Sequence, residues 1–142
     1  MENTMLNYNL RPRITLCDTE HHQLLVLAMT GVSHSPDAGE ELFRELDRAR
    51  VVSENKLPAD VVRMGSRVTY RSDDGEVRTV KLVYPGQADI SAERISVLTP
   101  VGTALIGLRA GQSITWLTRT GQKKVLTALS VTPPSRPEEP EE

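Results

Sequence analysis

Three histidines, a group of acids and one cysteine are the residues of this 142-residue chain whose chemistry could go beyond packing. His21 and His22 are adjacent, and His34 follows further along. Neighbouring helical positions point about 100° apart, so the pair diverges rather than converging on one ion. Neither histidine has an acid at the spacing of a helical zinc motif, and zinc asks for several convergent ligands. No metal is expected, and the histidines read as solvent-facing residues at a helix start. Asp37, Glu40 and Glu41 crowd the start of a second helix. Their simplest role is to interact with its positive end, worth ~0.3–1 kcal/mol each at exposed sites. The competing role is a tip that holds Mg²⁺, a hard cation that prefers carboxylates. Cys17 is the only cysteine, which excludes an internal disulfide and a thiolate zinc site. Serine and lysine nucleophiles exist, but no base is identifiable beside any of them. Trp116, close to Ile114, reads as core or sheet-face packing. The residue types point to a protein that is not an enzyme and needs no cofactor.

The elements that carry these residues are legible from periodicity. Residues 1–13 are polar and contain Pro12, and read as a loose leader, with a short extended segment over Arg13–Leu16. Asp18 or Thr19 is expected to cap a first helix, with Glu20 at its positive end and Leu24, Leu25, Leu27 and Ala28 on its apolar side. Gly31–Pro36 should interrupt it. Ser35-Pro36 opens a second helix as N-cap and N1 proline, with Ala38, Leu42, Leu46 and Ala49 at helical spacing. The two helices, of about 12–14 residues and ~18–21 Å each at 1.5 Å per residue, form an antiparallel hairpin. Glu40 and Arg44 are placed for an i,i+4 pair. From Asp60 the period becomes two. Asp73-Asp74-Gly75 signals a hairpin turn, Arg94–Leu98 a third strand, and Pro100–Leu108 a short helix closed by Gly107 or Gly111. Ser113–Thr118 and Lys123–Val131 make a last hairpin around Thr120-Gly121. The expected whole is a curled antiparallel sheet packed on a helix.

Composition sets the bounds. Aromatics make up 4%, so aliphatic side chains must build the core. The last ten residues hold four glutamates and one arginine, a net −3 against −2 for the chain, leaving +1 elsewhere. Such a body gives no electrostatic reason to bind nucleic acid, and no sequence-specific binding is expected. The tail from Pro133 lacks the apolar residues needed to order itself. The start lacks the basic-then-apolar pattern of a signal peptide, and no stretch approaches the ~20 apolar residues of a membrane span. The cytoplasm is the expected compartment, with no membrane partner.

One longer pattern rises above this background. Ile95-Ser96-Val97-Leu98-Thr99-Pro100-Val101-Gly102-Thr103-Ala104-Leu105-Ile106-Gly107, followed by Gly111-Gln112, resembles the signature of the Gre transcription-factor C-terminal domain. Upstream, Glu45–Ala49, Pro58–Val68 and Leu82-Val83-Tyr84-Pro85 look more specifically like the branch of that family called regulator of nucleoside diphosphate kinase. The resemblance spans about residues 10–131.

It implies an α+β fold: a short N-terminal antiparallel helical hairpin, then an FKBP-like antiparallel sheet domain with one short helix. The divisions are then a leader over 1–13, the hairpin over 14–52, the sheet domain over 53–132 and an acidic tail over 133–142. The resemblance further implies docking on bacterial RNA polymerase at the rim of its secondary channel, and competition with Gre factors. Carried over by position, the docking residues are Ser96, Leu98, Thr99, Pro100, Val101 and Gly102. Gre cleavage factors insert a long coiled coil whose acidic tip places Mg²⁺ for transcript cleavage. The hairpin here is much shorter, so Asp37, Glu40 and Glu41 should find no metal, and occupancy without cleavage is expected. The competing readings are a cleavage-stimulating factor and a direct modulator of nucleoside diphosphate kinase. A prolyl isomerase, from fold analogy alone, is disfavoured by the few aromatics.

Overall fold

The change of hydrophobic period near residue 60 is where two helices give way to a sheet. The computed structural model describes residues 10–34 and 36–134. In chain order the elements are strand β1 (Thr15–Cys17), helices α1 (Asp18–His34) and α2 (Pro36–Arg48), and strands β2 (Arg50–Val52), β3 (Arg67–Ser72), β4 (Val77–Val83) and β5 (Arg94–Ser96). Helix α3 (Pro100–Leu105) and strands β6 (Ser113–Leu117) and β7 (Lys123–Thr132) complete it.

Helix α1 runs through Gly31 to His34, past the point where an interruption was expected. A glycine inside a helix costs only about 1 kcal/mol and causes no clash, so it does not end one alone. The next helix starts at Pro36. Ser35 itself, the expected cap of α2, lies outside the described residues. The cap of α1 also differs from expectation, since the helix already includes Asp18. The residue ahead of it is Cys17, whose sulfur accepts the Glu20 backbone N–H. Helix α2 buries Leu42 and Leu46 on one face, as its spacing requires. The hairpin is antiparallel: His21, near the start of α1, lies 3.0 Å from the Leu46 carbonyl near the end of α2. His21 is therefore half-buried in the hairpin base rather than solvent-facing, while His22 is exposed. Strands β1 and β2 close the base as a parallel pair, with Leu16 opposite Val51.

The main sheet has the order β5-β4-β3-β7-β6. Its pairings are antiparallel except that of β4 with β5, which is parallel. Two short 3₁₀ turns, Pro85–Gln87 and Ile90–Ala92, carry the chain from the end of β4 back alongside Lys81, so β5 runs in the same direction. The expected strand region after Asp60 begins later, at Arg67. Val62 is buried, but its backbone exchanges hydrogen bonds with Leu108 and Gly107 instead of joining the ladder. Its alternation reflects burial, not sheet pairing. A β-bulge interrupts β3 and β7 where Thr69 faces Ser130 but Tyr70 faces Ala128, which bends the strand locally.

Val68, Leu82, Ile114 and Leu126 from the sheet share one apolar cluster with Ala104 and Leu105 of α3 and Leu24, Ala28, Leu42 and Leu46 of the hairpin. The hairpin is thus folded onto the sheet domain rather than standing away from it. Gly107 ends the α3 region with φ +83°, and a Cβ there would lie 2.9 Å from the Ile14 Cβ, so both backbone conformation and space select glycine. No helix among the described residues is long and apolar enough to cross a membrane.

Candidate docking cleft

The corner between β5 and α3 is held by its own hydroxyl groups. Ser96 Oγ accepts the Leu98 N–H at 3.0 Å. The Ser96 carbonyl accepts both the Thr99 N–H at 3.0 Å and the Thr99 hydroxyl at 2.7 Å. Thr99 Oγ1 in turn accepts the Gly102 N–H at 3.0 Å, the N-cap of α3, with Pro100 at the first helical position. The buried Thr103 hydroxyl donates to the Val97 carbonyl at 2.7 Å. A Cβ on Gly102 would overlap the Ser96 carbonyl oxygen. Ser96, Thr99 and Gly102 are therefore spent on fixing the corner. Leu98, Pro100 and Val101 remain half-buried.

Leu98 and Pro100 open into a cleft of about 580 Å³ between α2 and β6. One wall is the exposed side of α2, with Asp37, Glu40, Glu41 and Arg44. The other is β6, the turn after it and the start of β7, with Trp116, Leu117, Arg119 and Lys123. Ala104 and Ile114 contribute apolar surface between them. An acidic wall thus faces a basic one across an apolar floor. Trp116 is half-buried, and its Nε1 is buried without a hydrogen-bond partner among the described residues. Glu41 takes Arg44 Nη1 at 2.9 Å, an i,i+3 pair instead of the expected Glu40–Arg44 pair. Both side chains are about half exposed, so the pair adds little stability.

A polar node roots the other side of the hairpin. Glu20 on α1 accepts Arg63 Nε at 3.0 Å and the Met64 backbone N–H at 3.2 Å. Arg63 also pairs with Glu54 at 2.6 Å. That pairing, with a second hydrogen bond from Cys17, holds the Glu54 carboxyl down at about 2. Burial pushes the Cys17 thiol above its ordinary value, while its Sγ–H donates to Glu54 Oε1 at 3.1 Å. Tyr84 adds a hydrogen bond from its hydroxyl to Gln23 Oε1 at 3.2 Å. Through Glu20 and Gln23 the node pins α1 to the sheet domain.

The arrangement can bind and it can hold a shape. Among the described residues no three His, Cys, Asp or Glu side chains gather as a metal site. The structure unites the two groups of residues singled out in the sequence: Leu98 and Pro100 share the cleft with Asp37, Glu40 and Glu41. It leaves Ser96 and Gly102 buried beneath the corner and Val101 packed against the core. Sequence reasoning missed Arg11, Glu45, Arg119 and Lys123, which all line the cleft. Its one available hint was Trp116-Leu117, a large apolar pair at the end of a strand.

A family model described as "Transcription elongation factor, GreA/GreB, C-term" matches residues 57–133. The "Regulator of nucleoside diphosphate kinase" of Escherichia coli is 42% identical over 107 residues, covering 75% of this chain and 79% of that protein. "Transcription elongation factor GreA" of Rhodospirillum rubrum is 43% identical over 75 residues, 52% of this chain and 48% of that protein. Among solved structures, "Prokaryotic transcription elongation factor GreA/GreB from Nitrosomonas europaea" aligns with TM-score 0.66 and 35% identity, covering 84% of this chain and 99% of that one.

Proposed function

This chain belongs to the GreA/GreB family of transcription elongation factors, and from that premise we propose that it is a non-catalytic regulator that docks on bacterial RNA polymerase. The docking site is the cleft, presented at the rim of the enzyme's secondary channel, and the sheet domain is an FKBP-like head. The observation that carries this reading is the convergence of Leu98 and Pro100, from the family signature, with Trp116 in one cleft that has charged walls and an apolar floor. Interfaces concentrate their energy in a few well-packed aromatic and apolar anchors, and charges around them steer and orient the partner.

Hairpin length argues for occupancy without transcript cleavage. At 1.5 Å per residue the 17 residues of α1 and 13 of α2 span only ~25 and ~20 Å. Asp37, Glu40 and Glu41 of α2 line the docking cleft instead of extending beyond it. A chain so built competes with Gre factors for the channel mouth and contributes no metal-placing tip. Its place of action is then the bacterial cytoplasm, where the polymerase works.

The test is a binding titration against core RNA polymerase, repeated with a Gre factor as competitor and with Leu98→Ala and Trp116→Ala. Competitive binding that each substitution weakens about tenfold or more is expected. An assay on backtracked elongation complexes should show no added cleavage. Capture of nucleoside diphosphate kinase but not polymerase, or stimulated cleavage, would overturn the reading.

A further inference from the structure

Glu45 is the one charged side chain that is buried among the described residues, at 6% exposure. It sits on α2 at the edge of the cleft and holds two arginines. Arg11 Nη2 approaches Oε2 at 2.8 Å, and Arg48 Nη2 approaches Oε1 at 2.8 Å. Arg48 also donates through Nη1 to the Pro12 carbonyl at 2.6 Å. Arg11 and Pro12 belong to a strap of extended chain, Leu10–Ile14, that is fastened on its far side to the opposite wall. Leu10 N–H donates to Thr115 Oγ1 at 2.8 Å, and Thr115 N–H donates to the Leu10 carbonyl at 3.0 Å. The path from α2 through Glu45, Arg11 and Leu10 to β6 therefore ties one wall of the cleft to the other.

We propose that Glu45 is a positioning residue, which sets the separation of the two cleft walls through the strap and thereby the fit of the docking partner. The docking part of this inference rests on the polymerase-binding reading above. A buried carboxylate between two guanidinium groups suits this task better than an apolar contact. Aliphatic side chains slide over one another at little cost, whereas charge-assisted hydrogen bonds prescribe distance and direction. Burying the charge gains little stability by itself, and registry is the better-attested use of such groups. The bland alternative is that Glu45 merely adds an i,i+3 pair with Arg48 to α2. That alternative gives no role to Arg11, whose neighbour Leu10 is fixed to the opposite wall.

Trp116 supplies a native readout, since it is the only tryptophan and lines the cleft. Its buried, unpartnered Nε1 would gain water if the walls parted. Glu45→Gln keeps the shape of the side chain and removes its charge. Arg11→Ala removes one of the two ties between the strap and α2 and leaves Glu45 paired with Arg48 and Arg48 on the Pro12 carbonyl, so the fold has its charge compensated. Both variants, checked for native circular dichroism, are expected to shift Trp116 emission to the red, increase its quenching by acrylamide and weaken polymerase binding about tenfold. Arg11→Lys should retain much of the wild-type signal. Unchanged Trp116 emission and quenching in both folded Glu45→Gln and folded Arg11→Ala would overturn the positioning role, whatever the polymerase does. A shifted Trp116 signal with undiminished affinity would overturn its part in docking. If the wild-type protein ignores polymerase while the Trp116 signal moves in both variants, the clamp stands and the functional reading falls.

Discussion

Gly102 lies against the backbone carbonyl of Ser96 so closely that a Cβ in its place would overlap the oxygen and come 2.9 Å from both the Ser96 carbonyl carbon and the Val97 Cα. The obstacle is backbone held by three hydrogen bonds, from Leu98, Thr99 and the Thr99 hydroxyl to Ser96, so nothing nearby can swing aside. Gly102→Ala should therefore destabilise the protein by about 1–3 kcal/mol or more, the range for overpacking a filled site. Urea unfolding measures it as a lower midpoint at constant slope. An unchanged midpoint would show that the corner is looser than drawn.

The same corner distinguishes a cap from a buried partner. Thr99→Ala removes the N-cap of α3 and should cost ~0.5–2 kcal/mol. Thr103→Val keeps side-chain volume but strips the donor from the buried Val97 carbonyl at 2.7 Å, for about 1–3 kcal/mol. Serine at 99 restores the hydroxyl and should recover most of the cap. Equal stability of the alanine and serine variants would remove the capping role.

Acid sensitivity follows from Glu54. Its carboxyl titrates at about 2 in the fold against 4.5 when unperturbed, chiefly because of Arg63 and then Cys17. A depressed folded value means that the stabilisation is complete above about pH 4.5 and is lost as the pH falls towards 2. The side chain is 57% exposed, so the gain at neutral pH is modest and salt-screened. Glu54→Gln should be slightly less stable at pH 7 and should lose stability less steeply between those two pH values. Thermal melts of both proteins across that window provide the comparison; parallel curves would contradict it.

Cys17 should be chemically quiet. Its side chain has no exposure, its thiol is pushed up by burial, and its sulfur is engaged by Glu54 and the start of α1. Only the thiolate is a good nucleophile, so alkylation near neutral pH should be limited by opening of the protein. Labelling rates followed by mass spectrometry should climb with urea in step with unfolding. Rapid labelling without denaturant would contradict the burial of this node.

Local signals in the sequence were sufficient for most elements of the fold. Pro100 and Thr99 mark the start of α3, Gly107 its end, Asp73-Asp74-Gly75 and Thr120-Gly121 the two sheet hairpins, and Leu42 and Leu46 the inner face of α2. Each is a matter of a residue's own torsion preference or of neighbours within a turn or two, which is why composition and spacing alone announce them. The segment around Leu98 and Pro100 stood out instead by its resemblance to the Gre C-terminal signature.

What the linear order concealed is everything that depends on distant parts of the chain meeting. Leu10 and Thr115 bond across a separation of 105 positions, and Glu45 reaches Arg11 across 34. Spacing places Glu45 on the flank of the apolar stripe, three residues after Leu42 and four before Ala49, but does not say what pairs with its charge; the arginine of the strap and Arg48 do. The hairpin read as an arm, yet its apolar face enters the same core as the sheet, and that turns the acids of α2 into one wall of a cleft. Periodicity determines which face of an element is apolar, whereas the partner that covers that face is chosen by the packing of the whole chain.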